Sequence, residues 1–385
     1  MDEIFCLSND WKEIVDSAEL IPFGMGRIGR RVISSLMNEF DIPFLIDNRE
    51  KQDIILGLKV LTLENARDYL KTHNCKIVVT TVYGAYQEIK KQLEGMGLVE
   101  NVDFCVFERF VVEWNLRWKN KCVLSKIDTV ITSRCTLRCK NCNMFISCME
   151  QHNDLPLEEL QNNFDVFFGS VDYVYEYTLL GGEPFLHKKL KDILVYMCQK
   201  YGDKIGKINL ISNGTVIPSD EVIHVMKKYK IMVNISDYTN AVSYKERLKE
   251  VEDLFKKNEI EYYIIPNNVW KDVCYPRCEY YTANPREHMK LCGHGTHSVD
   301  GGRLYWCDPA FASERFLNFC SREDDSLELI SNKLNYSKYD ASLNIIKYIL
   351  GNVNERGYMT ICEKCAGVGS DNNKVVVAGV QCNDK

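Results

Sequence analysis

The chain has no block of like charge. Its 48 Lys and Arg and 54 Asp and Glu are mixed along 385 residues, giving a net charge of −6. Without a basic run to track a phosphate backbone, a nucleic-acid partner is disfavoured. No apolar run reaches membrane-spanning length, so a membrane-embedded helix is not expected. The first twenty residues, MDEIFCLSNDWKEIVDSAEL, are acidic and lack the basic start and apolar core of a secretory signal. A cytoplasmic protein is therefore expected. A composition of 45% hydrophobic and 26% charged residues suits a globular chain of two or three domains.

Cysteine, by contrast, is abundant, with 17 in all. In a reducing compartment such thiols are more plausible as metal ligands than as disulfides. Cys6, Cys75, Cys105, Cys122, Cys148, Cys198, Cys320 and Cys382 stand singly and read as small buried hydrophobes. The others are clustered and need a chemical reason.

The segment ELIPFGMGRIGRRVISSLMNEFDIPFLIDN reads as strand, glycine turn, helix and strand. Gly24, Gly26 and Gly29 form G-x-G-x-x-G at the strand-to-helix junction. Asp47 closes the next apolar run, about where a ribose-binding acid falls. The pattern describes a small Rossmann-type unit over residues 1–112, binding a nucleotide or nucleotide sugar at its helix start or serving only to dock. Over residues 121–270, KIDTVITSR, DYVYEYTLL, KINLISN, IMVNISD and EYYIIP read as strands alternating with helices. Repeated β-then-α units imply a parallel sheet with its chemistry at the strands' carboxyl ends. Ser243 and Glu246 are spaced as a capping box at the start of one helix. From residue 271 to 385 the alternation stops and the chain becomes cysteine-rich.

Cys135, Cys139 and Cys142 follow the first strand of the central region as C-x3-C-x2-C. Three thiolates on one loop suit three irons of a cubane and leave the fourth iron open. A zinc site with a distant fourth ligand and a coincidence of spacing are the alternatives, although structural zinc prefers paired C-x2–4-C units. Here the chain resembles the radical S-adenosylmethionine (SAM) superfamily, which carries this triple after the first strand of a partial (β/α) barrel. The resemblance extends to Gly181-Gly182-Glu183-Pro184 after the second strand and to Ile211–Thr215 after the third. It implies an α/β chain with a partial (β/α)6 core and a [4Fe–4S] cluster on Cys135, Cys139 and Cys142. SAM would be chelated at the open iron and contacted by the GGEP edge, Ser212, Asn213 and Ser236. One electron, from a donor such as flavodoxin or ferredoxin, would cleave SAM to a 5′-deoxyadenosyl radical that abstracts hydrogen from substrate. Family members usually place an aromatic residue before the third cysteine; this chain has Asn141.

Cys292, nine residues, Gly302, four residues and Cys307, closed by the Cys362/Cys365 pair, resemble the twitch form of the SPASM extension. That resemblance implies an auxiliary [4Fe–4S] cluster on these four cysteines, with a four-cysteine zinc site as the alternative. Cys274 and Cys278 form a further C-x3-C pair, read as structural, as a substitute ligand or as completing the cluster. His294 and His297 read as polar loop residues, with an imidazole metal ligand as the alternative. A protein-ligated second cluster can accept an electron from a substrate radical that also loses a proton, giving dehydrogenation of an alcohol. Because small Rossmann units of this kind resemble those of surface-sugar and nucleotide-sugar enzymes, a carbohydrate or nucleotide-linked sugar is the expected substrate. A peptide maturase, or a non-catalytic Fe–S or zinc scaffold, are the competing readings.

Overall fold

The computed structural model describes residues 5–81, 83–292 and 296–382. It divides after Ser125 into two compact units. The first is built on β1 (Glu19–Phe23), β2 (Leu45–Ile46), β3 (Ile54–Ile55), β4 (Leu58–Leu61), β5 (Cys75–Val79) and β6 (Phe104–Val106). They lie in the order β3-β4-β2-β1-β5-β6, and all neighbours are parallel except the β3–β4 hairpin. Setting β3 aside, the order is third, second, first, fourth, fifth, the arrangement of doubly wound α/β sheets.

Ile21, Phe23, Ile46, Ile77, Val79 and Phe104 form the core of this sheet. The helix Arg27–Met37 buries Val32, Ile33 and Leu36, one apolar stripe at helical spacing. The hairpin was not foreseen from sequence. Its turn, Leu56 and Gly57, has φ of 50° and 85°, and Leu-Gly lacks the Asn-Gly or Asp-Gly signal such turns usually carry.

The second unit holds β7 (Val123–Thr132), β8 (Tyr173–Gly181), β9 (Ile205–Ser212), β10 (Met232–Asp237), β11 (Tyr262–Pro266), β12 (Val269–Lys271), β13 (Ser298–Asp300), β14 (Arg303–Tyr305), β15 (Ser326–Glu328) and β16 (Val375–Val377). One sheet runs β11-β10-β9-β8-β7-β13-β14-β15, and β12 pairs antiparallel with β16. The five strands read from sequence are thus neighbours in chain order. The helices Leu157–Ser170, Leu190–Tyr201, Asp220–Tyr229 and Lys245–Lys257 connect them. β8 is buried from Val174 to Leu180 without alternation, as expected for a strand covered on both faces. Phe164, Phe167 and Phe168 pack on Tyr177 with ring centroids 5.5–5.7 Å apart, fixing the first connecting helix on that strand.

The capping box is not formed. The helix Lys245–Lys257 starts with Tyr244 as N-cap and no side-chain cap bond, one residue later than the Ser243–Glu246 spacing required. The cysteine-rich residues after 271 belong to the second unit, and β13, β14 and β15 extend its sheet beyond β7.

Candidate metal and cofactor site

The three clustered cysteines follow the carboxyl end of β7, and the GGEP turn runs directly alongside. Gly182 N–H donates to Thr132 O at 2.9 Å, and Glu183 N–H to Arg134 O at 2.7 Å. A Cβ at Gly181 would stand 2.1 Å from Thr132 O. One at Gly182 would stand 2.2 Å from Arg134 O and 2.8 Å from Cys135 Cβ. Both positions need glycine because two backbones meet there.

Cys135, Cys139, Cys142, Gly181, Gly182, Ser212, Asn213 and Ser236 line a single cavity of about 360 Å³. Asn141, Tyr238 and Trp270 line it as well. The aromatic surface of the cavity therefore comes from Tyr238 and Trp270, which pack edge to face at 5.3 Å. Each sulfur faces N–H donors. Leu137 N–H and Asn213 Nδ2 donate to Cys135 Sγ at 3.4 and 3.5 Å, and Gln381 Nε2 donates to Cys139 Sγ at 3.3 Å. The backbone N–H groups of Ile146 and Met144 serve Cys142. Burial nevertheless pushes the thiols up, Cys135 to about 12 and Cys139 to about 11, so without metal they keep their protons. Metal ligation would release those protons, and the N–H donors would then hold thiolate sulfur.

Gln381 was not identified from the sequence. The segment around it docks on the cysteine loop: Lys140 N–H donates to Val380 O at 2.7 Å, and Cys382 N–H to Arg138 O at 2.8 Å. Asp128 was also missed. It is buried on β7 and lines the cavity; its Oδ2 accepts from Lys126 Nζ at 3.1 Å, and its Oδ1 has no protein partner. Burial raises its pKa against the pull of Lys126. Asp308, whose carboxylate accepts from Ser298 Oγ, lines the same cavity.

Glu183 and Pro184 are buried and are not among the residues lining the cavity. The Glu183 carboxylate accepts from Ser212 Oγ at 2.9 and 3.0 Å, Asn213 N–H at 2.7 Å and Phe185 N–H at 3.2 Å, tying the ends of β8 and β9 together. Burial pushes its pKa up to about 7 against these donors. A carboxyl that keeps its proton longer in the folded state makes folding less favourable as pH rises from about 4.5 to 7. Glu183→Gln should therefore gain stability relative to the native chain across that interval, by up to about 3 kcal/mol. Urea midpoints of both proteins at pH 5 and 7.5 measure this, and parallel shifts would contradict it.

Cys292, Cys307, Cys362 and Cys365 also come together. They line one small apolar cavity with Val273, Met289 and Ile361. The motif glycine has a structural reason: Gly301 and Gly302, with φ of 54° and 76°, turn β13 into β14, so that Cys307 follows the returning strand. Burial raises Cys307 strongly and Cys365 to about 12. Among the described residues, no three sulfurs of either cysteine set lie within 4.8 Å of one another. Tetrahedral zinc with Zn–S bonds of about 2.3 Å needs sulfurs about 3.8 Å apart. His294 lies outside the described residues, and His297 is buried with Nδ1 2.8 Å from Trp306 O.

In the first unit, Gly24 has φ of 110°, and a Cβ at Gly29 would stand 2.0 Å from Gly24 O, so the helix start packs on the turn. Gly26 is the helix N-cap and has open space around it. Asp47 is brought to this loop, but its carboxylate accepts from the backbone N–H groups of Met25, Arg49 and Glu50 at 2.6, 2.7 and 2.9 Å. An open cleft of about 720 Å³ in this unit is lined by Asn48, Glu64, Arg67 and Lys91 and not by Gly24, Gly26 or Gly29.

Residues 129–265 match the model of the radical SAM superfamily. The chain carries a radical SAM domain. The match begins on β7 and ends on β11, enclosing the cysteine triple and the GGEP and ISNGT turns. Such a domain works with SAM and a [4Fe–4S] cluster, and the donors around the triple suit both. The antilisterial bacteriocin subtilosin biosynthesis protein AlbA of Bacillus subtilis (strain 168) is 32% identical over 129 residues, 33% of this chain. The alignment spans only 25% of that relative's length. BtrN in complex with AdoMet and 2-DOIA overlays at TM-score 0.37 and 13% identity, covering 63% of this chain and 93% of that one. The anSMEcpe structure with bound AdoMet and Cp18Cys peptide overlays at TM-score 0.29 and 20% identity, covering 36% of this chain and 42% of that one. Among the described residues no helix is long and apolar enough to cross a membrane.

Proposed function

We propose that the chain is a cytoplasmic radical SAM dehydrogenase acting on a carbohydrate or nucleotide-linked sugar. Cys135, Cys139 and Cys142 would hold the SAM-binding cluster, and Cys292, Cys307, Cys362 and Cys365 an auxiliary one. The observation that carries this reading is the single cavity lined by the cysteine triple, the glycine pair and the buried Asp128 carboxyl. With both clusters and SAM bound, reductive cleavage of SAM would supply the radical that removes hydrogen from substrate, and the auxiliary cluster would take the second electron.

The chain's own residues would do the rest. Gly181 and Gly182 let the β8 turn approach the cysteine loop, Asn213 and Ser236 supply polar contacts for SAM, and Tyr238 and Trp270 shield the cavity from water. Asp128 would accept the proton that the substrate radical gives up as it is oxidised, since its free Oδ1 and raised pKa suit a base working near neutrality. Asp128→Asn should cut product formation about 10²–10⁴-fold and raise the ratio of 5′-deoxyadenosine to product. An unchanged ratio would count against the role.

The glycine loop at the head of a doubly wound sheet supports a nucleotide-linked ligand, with Gly24, Gly26, Gly29 and Asp47 at its site. The aligned segment of AlbA favours a second reading, a peptide substrate. Substrates deuterated at candidate carbons separate the two: label should appear in 5′-deoxyadenosine from a sugar nucleotide under the first reading and from a peptide under the second.

A further inference from the structure

A third set of metal-binding side chains lies beside the two cysteine groups. Asp272, Cys274 and Cys278 each present one ligand atom, and these atoms all lie within 4.8 Å of one another. Among the described residues no other group of three or more His, Cys, Asp or Glu side chains meets that spacing.

The local backbone builds this arrangement. Cys274 has φ of 66°, and Arg277 and Cys278 both donate their N–H groups to Cys274 O, at 2.8 and 3.1 Å. That single turn brings residues four apart to the same side. Asp272 is buried, and its Oδ1 accepts from Cys274 N–H at 3.0 Å and from Arg277 Nη2 at 2.8 Å. One carboxylate oxygen is thus fixed by the turn, and Oδ2 lies outside those hydrogen bonds.

A cation already stands at the focus of these donors. Lys374 Nζ is 2.9 Å from Asp272 Oδ2, 3.4 Å from Cys278 Sγ and 3.8 Å from Cys274 Sγ. Its side chain is 52% exposed, so it can swing into solvent. An ammonium gathers such donors loosely, whereas a thiophilic dication binds them directly and ionises both thiols. Zinc bonds of about 2.3 Å to sulfur and 2.0–2.2 Å to oxygen require the donors to close by about 0.8–1.5 Å.

We propose that Asp272, Cys274 and Cys278 form a third metal site, for one divalent thiophilic cation of the zinc class. Lys374 is the charge that leaves when the metal enters. Two thiol protons are released, and a fourth coordination position stays open to water or another exchangeable ligand. The turn that carries the site touches both cysteine groups. Arg277 Nη1 donates to Cys142 O at 3.5 Å, and Ala366 N–H donates to Val273 O at 2.9 Å. A metal here would fix the segment that joins them. The proposal does not depend on the substrate reading.

The test is zinc titration of oxygen-free protein with its iron–sulfur content in place, after a chelator wash, read by metal analysis and zinc X-ray absorption. The native chain should take up one zinc with two sulfur neighbours and no loss of iron, and Cys278→Ser should lose the zinc and keep the iron. Lys374→Ala, a change at a half-exposed side chain, should tighten zinc binding about tenfold by removing the competing charge. Absence of zinc uptake, loss of iron in Cys278→Ser, or unchanged affinity in Lys374→Ala would each overturn the assignment.

Discussion

Replacing Cys135, Cys139 or Cys142 by alanine is expected to bring 5′-deoxyadenosine release from SAM down to assay background. Each supplies one sulfur to the cavity, and among the described residues Cys135, Cys139 and Cys142 are the cysteines that line it. Residues that only orient the sulfurs should give a graded loss. Gln381→Leu removes the Nε2 donor 3.3 Å from Cys139 Sγ and leaves the ligand itself. Removal of such an outer partner typically costs about 10–100-fold in metal affinity or activity. The contrast separates a ligand from its support. The alanine variants should also retain about four irons per chain, bound at the other cysteine group. Equal losses in the Gln381 and cysteine variants would mean that the C-terminal segment, not the sulfur, is what matters.

Cys307→Ser should give the opposite pattern. Cys307 is buried at the N-cap of the helix Asp308–Leu317, directly after β14, and faces Cys292, Cys362 and Cys365 across an apolar cavity. Iron should fall from about eight to about four per chain, with SAM cleavage preserved and the oxidised product lost. Thermal stability should fall as well, because ligation contributes folding free energy to a segment made of short strands and loops. Zinc recovered at this group, with iron at four in the native chain, would remove the electron acceptor and with it the dehydrogenase reading.

These contrasts show which parts of the molecule can be read from sequence. Ligand sets on one loop are local, so C-x3-C-x2-C and the Cys362/Cys365 pair can be read without any fold. The strands DYVYEYTLL and KINLISN are legible because apolar and β-branched runs end at glycine or asparagine turns. Gln381 is not legible: it lies 242 residues from the sulfur it serves, and nothing near it in the chain marks it. Asp128 is hidden in KIDTVITSR as one more polar position in an alternating strand, and only the folded cavity shows its unsatisfied oxygen. Glu183 is expected from its motif to contact SAM, yet the approach of β9 buries it, and its carboxylate accepts from Ser212 and Asn213 instead. The Leu56-Gly57 hairpin lacks its usual turn residues, so its strand merges with the apolar run around it.

Most of the chemistry proposed for the chain requires that the triple beside the glycine pair hold a cluster to which SAM binds. Electron paramagnetic resonance of dithionite-reduced, oxygen-free Cys307→Ser protein, recorded with and without SAM, tests it most directly because the auxiliary signal is removed. One reduced cubane signal is expected, with g-values that shift on addition of SAM. A missing signal, or one that SAM leaves unchanged, would contradict it.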